Sequence, residues 1–451
     1  MTPANHPAPR PATPGTRPRK PPILLLNAQY LPSSRDWRTA AGRADTPFRV
    51  ETFVREAQQA EAAGIDALFQ ADFSGVNRAG LRSGPPLTVF EPFQAAALIA
   101  SATSRIAVMP TVSTLYTHPF SAARSLASLD RISGGRAWVN LVSSFRSGTA
   151  IGIDRDVPRD RRHAQTEEFL HVTRRLWASW PPAANEPDPV TGRFVRDDLI
   201  SDVDHAGEFY TQSGPIDMPP YSAAFPFTLQ ATASLAGLQL AARTADGVFA
   251  GTPTLGAARA LRRVLRRETR AAGRPEDSVA LLPGSFIQLV GSRAEAEALR
   301  RAQRAGAAAR GGRPALDQLR ARFPRLALGD AHPADRLPAD LLPRDPDEVF
   351  ASYGSGYLPL WDLAREPGRT VGELAVEVAL LGEHARFLGT PEQLGDELRR
   401  WYDEDGVDGF QFILGNDFDA LRTQVVPRLR GVPGPDQPHH HHPPSRTGTR
   451  T

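Results

Sequence analysis

The residues able to do chemistry gather in six short stretches, each directly after a compact apolar run. They are Asn27–Tyr30, Gln70–Phe73, Pro110–Thr114, Asn140–Ser144, Gln230–Ser234 and Gly251–Thr252. The set is rich in amides and hydroxyls and poor in acids. It holds no metal-ligand cluster, no GxSxG elbow and no carboxylate pair suited to glycoside hydrolysis. A neutral, hydrogen-bonding surface of this kind suits an aromatic, amide-rich cofactor better than it suits hydrolysis. Two further places suit phosphate. Ala231-Thr232-Ala233-Ser234 leads into a helical pattern, so backbone N–H groups and two hydroxyls converge at the positive end of a helix dipole. Arg159, Arg161, Arg162 and His163 stand just before another helix. A simple N-cap by Ser234 also explains the first place, and a solvated charge run the second; for Arg161 we adopt the solvated reading.

These stretches must be positioned by regular elements. Apolar runs read as strands at Ile23–Asn27, Ile65–Gln70, Arg105–Met109, Arg136–Val142, Phe227–Gln230, Gly247–Ala250, Ala280–Val290 and Gly409–Leu414. Helical spacing fills most of the intervals between them: the run from Val50 closes at Gly64, and others span Glu91–Thr103, His118–Ile132, Arg162–Ser179, Ser234–Thr244, Leu255–Ala272 and Phe418–Leu429. Strict alternation of strand and helix implies a parallel sheet with right-handed crossovers. Eight such units predict an α/β chain folded as a (β/α)8 TIM barrel, with insertions after strands four and seven. No GxGxxG follows the first strand, which argues against a dinucleotide-binding fold. Residues 307–368 read as an irregular helical excursion near the mouth of the barrel. In such a barrel the strand C-termini carry the function, and those are the six stretches above.

Composition narrows the classes further. The chain has 451 residues and no cysteine, which removes disulfides, thiolate nucleophiles and Cys-ligated metals. No apolar run nears the roughly 20 residues that span a bilayer, and no signal-like core follows the N-terminus, so the expectation is a cytoplasmic protein without a membrane partner. The formal charge of +3 is made of tails at +4 (residues 1–22) and +1 (residues 432–451), which leaves the body at −2. A mildly acidic body offers no phosphate-tracking face, so no nucleic-acid partner is expected. Both tails, 1–22 and 431–451, read as disordered, and the His439–His442 run as a feature of a biased tail rather than a metal site. Residues 23–430 form the expected barrel unit. Single residues also have local readings. His118 precedes a proline and caps a helix, His205 pins its own turn, Asp246 serves strand-end geometry, and Trp138 turns outward beneath a helix.

The stretch Leu126–Ser144, Leu-Ala-Ser-Leu-Asp-Arg-Ile-Ser-Gly-Gly-Arg-Ala-Trp-Val-Asn-Leu-Val-Ser-Ser, resembles the strand-four signature of the bacterial luciferase-like flavin monooxygenases. The resemblance continues through His205-Ala-Gly-Glu-Phe-Tyr, Gly214-Pro-Ile, Gln230–Gly237, Ala241–Phe249 and Gly389–Asp396. It is strongest toward the nitrilotriacetate, dibenzothiophene-sulfone and long-chain alkane monooxygenase branch. The resemblance implies an FMN-dependent, two-component monooxygenase. Such an enzyme is a homodimer that takes reduced FMN from a separate NAD(P)H:flavin reductase and inserts one atom of dioxygen into a small organic or secondary-metabolite substrate. It places flavin contacts at Asp72, Thr111, Asn140, Arg159, His163 and Ser234. Relatives usually carry Tyr at the place of His163 and His near that of Arg159, so the phosphate side is remodelled with cationic groups. Phe73 and Tyr116 are candidate apolar walls, and Ser143, Ser144 and His163 candidate proton donors; no metal is implied. Two alternatives remain open at this point: a deazaflavin-dependent hydride-transfer oxidoreductase, and a flavin-binding protein without turnover.

Overall fold

The computed structural model describes residues 20–28, 49–72, 89–143, 157–232, 234–309, 313–382, 384–414 and 418–431. Residues 1–19, 29–48 and 432–451, together with Phe73 and Ser144, lie outside the described residues. Among the described residues, ten parallel strands form one curled sheet. In sequence they are β1 (Ile23–Asn27), β2 (Ala67–Gln70), β3 (Ala107–Ser113), β4 (Trp138–Val142), β7 (Phe227–Ala231), β8 (Gly247–Phe249), β9 (Ala280–Leu281), β10 (Gly284–Leu289), β11 (Ala385–Gly389) and β12 (Gly409–Leu414). A small antiparallel pair, β5 (His205–Ala206) and β6 (Thr211–Gln212), stands apart from them. The sheet order is β11-β10-β12-β1-β2-β3-β4-β7-β8-β9.

The expected seventh strand is split. Pro283 has no N–H to give to a ladder, and it separates β9 from β10. Below the break the run is bonded on both sides, Leu282 N–H to Val248 O at 2.9 Å and Asp408 N–H to Leu281 O at 3.0 Å. Above it, β10 exchanges β8 for β11 as a neighbour. β11 has no counterpart in the sequence reading. Its residues are alternately buried and partly or fully exposed, the pattern of an edge strand rather than a compact apolar run.

The helices are α1 (Val50–Ala63), α2 (Pro92–Ala102), α3 (Pro119–Ser133), α4 (Arg159–Ser179), α5 (Leu235–Thr244), α6 (Leu255–Ala271), α7 (Arg293–Ala309), α8 (Arg313–Arg322), α9 (Pro346–Tyr353), α10 (Leu358–Ala364), α11 (Val371–Leu380) and α12 (Pro391–Asp403). A closing stretch follows, α13 (Phe418–Ala420), a π-turn at Leu421–Val425 and α14 (Val426–Arg430). The 307–368 region is helical but interrupted, as expected: α8 stands before an irregular stretch at 323–345, and α9 and α10 follow it. Leu316, Leu319, Phe350, Leu358 and Leu374 from α8 to α11 form one apolar cluster with Leu261 and Leu265 of α6. No helix among the described residues is long and apolar enough to cross a membrane.

Side chains alternate along each strand between two cores. Leu24, Leu26, Leu68 and Val108 pack outward under helices. Leu25, Ala67, Phe69, Ala107, Met109, Leu229 and Leu282 fill the concave side of the sheet. Trp138 belongs to this inner side and stacks on Phe227 at 4.4 Å between ring centroids, so the outward placement expected for it is wrong. Val139 and Leu141 pack into the outer core against α3 and α4, and this alternation turns Trp138 and Asn140 inward together.

One device recurs before three strands. Asp66, Asp246 and Asp408 each precede a strand and accept the backbone N–H of the neighbouring one: Leu24 at 2.7 Å, Thr228 at 2.9 Å and Leu281 at 2.9 Å. The strand-end role expected of Asp246 is therefore observed. A carboxylate that takes a ladder N–H fixes the register at the N-terminal edge of the sheet.

Candidate active site at the strand C-termini

Thr111 and Asn140 are register partners on adjacent strands, and both side chains are buried. The Thr111 hydroxyl donates to Gln70 O at 2.7 Å. That carbonyl can only accept, so the Thr111 proton is committed and Thr111 Oγ1 must accept from its other neighbour. Asn140 Nδ2 is that donor, at 2.9 Å. The chain of three thereby fixes the amide orientation and leaves Asn140 Oδ1 facing the concave side. Asn140 Oδ1 is buried and has no hydrogen-bond partner among the described residues. An unpaired buried carbonyl costs about 1–3 kcal/mol, which marks a place prepared for a donor. Phe69 and Phe249 stand nearby on the same side, stacked across the sheet at 6.3 Å.

The two suspected phosphate places lie on neighbouring helices, α4 and α5, which follow the adjacent parallel strands β4 and β7. Arg243 donates to both oxygens of Glu167, at 2.8 and 2.9 Å. Each partner stands eight residues past the first residue of its helix. The two helix starts are therefore level, about 8–10 Å apart between axes, with both positive dipole ends at the strand C-termini. Ser234 caps α5 and accepts the Gly237 N–H at 3.2 Å. Gly237 is required here, because a Cβ would stand 1.8 Å from Thr232 Oγ1. The hydroxyls of Thr232 and Ser234 thus lie over the first turn of α5. α4 has no side-chain cap. Arg159 opens it, His163 stands half-buried one turn later, and the Arg159 side chain lies outside the described atoms. Asp72 is half-buried at the exit of β2 and Ser143 half-buried at the exit of β4.

Several residues of the family-like motifs prove to be architectural. His118 caps α3, its Nδ1 accepting the Phe120 N–H at 3.2 Å, as expected. Asp130 accepts the Ser222 N–H at 2.7 Å and its hydroxyl at 3.1 Å, and burial raises the pKa of this carboxyl. Arg136 closes the end of α2 by donating to Ala100 O and Thr103 O. His205 reaches beyond its own turn: its Nε2 lies 2.9 Å from Glu168 Oε1 on α4. Glu168 also accepts the N–H groups of Glu208, Phe209 and Tyr210. Gly207 makes room for this, since a Cβ there would stand 2.1 Å from Glu168 Oε1. Tyr210 then donates to Thr114 O at 2.8 Å, and its phenol pKa is raised by burial. Glu168 was not singled out by the sequence, because its partners lie some forty residues away in the chain.

The family model described as luciferase-like monooxygenase matches residues 31–409 of this chain. The chain belongs to that family. It is similar to the N-acetyl-S-(2-succino)cysteine monooxygenase of Bacillus subtilis (strain 168), with 30% identity over 404 residues, 88% of this chain and 89% of that one. Nitrilotriacetate monooxygenase component A of Aminobacter aminovorans is 29% identical over 416 residues, again 88% and 89%. Among solved structures, EDTA monooxygenase (EmoA) from Chelativorans sp. BNC1 superposes with a TM-score of 0.70 at 28% identity, covering 91% of this chain and 94% of that one. The protein is accordingly a monooxygenase, an oxidoreductase that incorporates oxygen from dioxygen.

Proposed function

We propose that the chain is the oxygenating component of a two-component system, binding reduced FMN at the strand C-termini and acting on a small organic substrate. The observation that carries this reading is the buried, unpartnered Asn140 Oδ1, held in place by Thr111 and Gln70 in a site flanked by two level helix starts. The residues fit the group: Asn140 Oδ1 accepts a ring N–H, while Thr232, Ser234 and the N–H groups of the first turn of α5 suit a phosphate that also meets the start of α4. Arg159 and His163 supply cationic character on that side, and Asp72 and Thr111 border the ring. Bound reduced FMN supplies the two electrons with which dioxygen is divided between substrate and water. Phe69 and Phe249 keep water from the inner end of the site. The relative named as component A supports a separate NAD(P)H:flavin reductase as partner. We further read the curled sheet as a (β/α)8 barrel spanning residues 23–430, supported by the inward and outward alternation and by the β9–β10 run bonding to both β8 and β12. A homodimer in the cytoplasm completes the proposal.

The test mixes the protein with reduced FMN under anaerobic conditions, then exposes it to dioxygen in a rapid-scanning spectrometer. The expected result is tight binding of reduced FMN and an oxygen reaction whose time course differs from that of free FMN. Binding of a deazaflavin in preference to FMN would overturn the reading in favour of hydride transfer. An oxygen reaction identical to that of free flavin, despite binding, would favour a carrier without turnover.

A further inference from the structure

We propose that His384 is the acid–base residue of this site, delivered to the concave side by β11 through the gap left by Gly284. The inference rests on the FMN reading above. Three observations converge. Gly284 is in register with Gln411, which is in register with Leu25 of the inner core, so a side chain at 284 would point inward. There is none, and a Cβ at that place would stand 2.6 Å from His384 Nδ1. The imidazole of His384 therefore occupies the inward position that its neighbouring strand leaves empty. Its ring contacts Phe249 at 5.2 Å and Phe286 at 6.0 Å between centroids. Phe249 is in register with Ala231, where the Thr232–Ser234 turn begins. The imidazole is thus level with the exit of β7, on the side of the sheet that Asn140 faces.

A second polar atom shares this level. Gln411 is 1% exposed, and its Oε1 is buried with no hydrogen-bond partner among the described residues. As the register partner of Gly284, it sends its side chain to the same face and level as the imidazole. A buried acceptor without a donor, next to a titratable ring and between aromatic walls, is the composition of a reaction pocket rather than of a packing layer. Behind the ring, Phe286, Ala385 and Arg386 line a cavity of about 1290 Å³ that opens to solvent.

The chemistry follows from the net reaction, in which substrate, dioxygen and reduced FMN give oxygenated substrate, water and oxidised FMN. The oxygen atom that leaves as water must collect protons. His384 gives one from Nε2, the ring nitrogen farther from Gly284, and regains one from the pair released as the flavin is oxidised. Without substrate the reduced oxygen would leave as hydrogen peroxide, and the same imidazole would supply one of its protons.

The full chain is treated with diethylpyrocarbonate, with and without oxidised FMN, and each histidine is followed by peptide mass spectrometry. FMN affinity is measured first by fluorescence titration. At FMN ten times its Kd, carbethoxylation of His384 should slow about tenfold, by the factor 1 + [L]/Kd. The exposed His332, on the outer helical layer, should react at an unchanged rate. His384→Gln should slow peroxide release from bound reduced FMN by about 10²-fold, the usual worth of a positioned acid. Gly284→Ala, which pushes a Cβ into the ring, should abolish the FMN protection of His384 while the circular dichroism stays unchanged. No labelling of His384 in the free protein, labelling that bound FMN does not slow, or an unaltered peroxide rate in His384→Gln would each overturn the proposal. Absence of FMN binding would appear in the titration and overturn the FMN reading together with this one.

Discussion

Asn140→Leu separates a binding residue from a packing residue by the sign of its effects. In the free protein the substitution removes one hydrogen bond, Asn140 Nδ2 to Thr111 Oγ1, worth about 1 kcal/mol. Thr111 is not orphaned, because it still donates to Gln70 O. The same substitution removes a buried carbonyl oxygen that has no partner, which relieves about 1–3 kcal/mol. Leucine has nearly the same shape, so little cavity or overpacking follows. The free protein should therefore be as stable as wild type or up to about 2 kcal/mol more stable. A rise of up to about 2 °C in melting temperature would report this. FMN binding should move the other way. The ring N–H that would have met Oδ1 is buried against a methyl group, a loss of about 2 kcal/mol or about 30-fold in Kd. Calorimetric melting of the free protein and fluorescence titration with FMN read the two effects independently. A variant that is less stable by more than 1 kcal/mol and binds FMN as wild type does would refute the reasoning and make Asn140 a structural amide.

Ser234→Ala should lower stability by about 1 kcal/mol through the lost cap. It should also weaken FMN while leaving riboflavin affinity unchanged, since only the phosphate is affected; equal losses for both ligands in isothermal titration would move the phosphate elsewhere. His163→Tyr should preserve FMN binding, because either side chain can donate to an anion at the start of α4, and loss of binding in the same titration would show that the position is not equivalent to the family's tyrosine. Glu168 gives a pH dependence. Burial raises its pKa, but the hydrogen bonds from His205 and from the Tyr210 and Phe209 N–H groups outweigh this and hold it below its ordinary value of 4.5. A lowered folded pKa means that the stabilisation is complete above the unfolded value and is lost as the pH falls through the folded one. Urea midpoints should therefore fall more steeply below pH 4.5 in wild type than in Glu168→Gln, and parallel curves would remove Glu168 from the account.

Much of this protein is legible in its amino-acid sequence. Eight apolar runs located nine of the ten parallel strands described, because a strand buried on both faces must be apolar throughout. Caps such as His118 and Ser234 were legible because they act within three residues of their own position. Thr111 and Asn140 could be placed at strand ends from the chain alone, and the motifs around them carried the family. The tertiary structure decided what depends on neighbours far away in the chain. Trp138 faces inward because its neighbours Val139 and Leu141 are taken up by the outer core. β11 exists because β10 loses β8 at Pro283 and takes a new partner. Asn140 presents its oxygen because the Thr111 proton is committed to a carbonyl on another strand. His384 reaches the site because Gly284, a hundred residues earlier, has no side chain. Local signals fix which elements form, since propensity, capping and periodicity act over a few residues. Register, facing and the direction of a shared proton are fixed only when the strands meet.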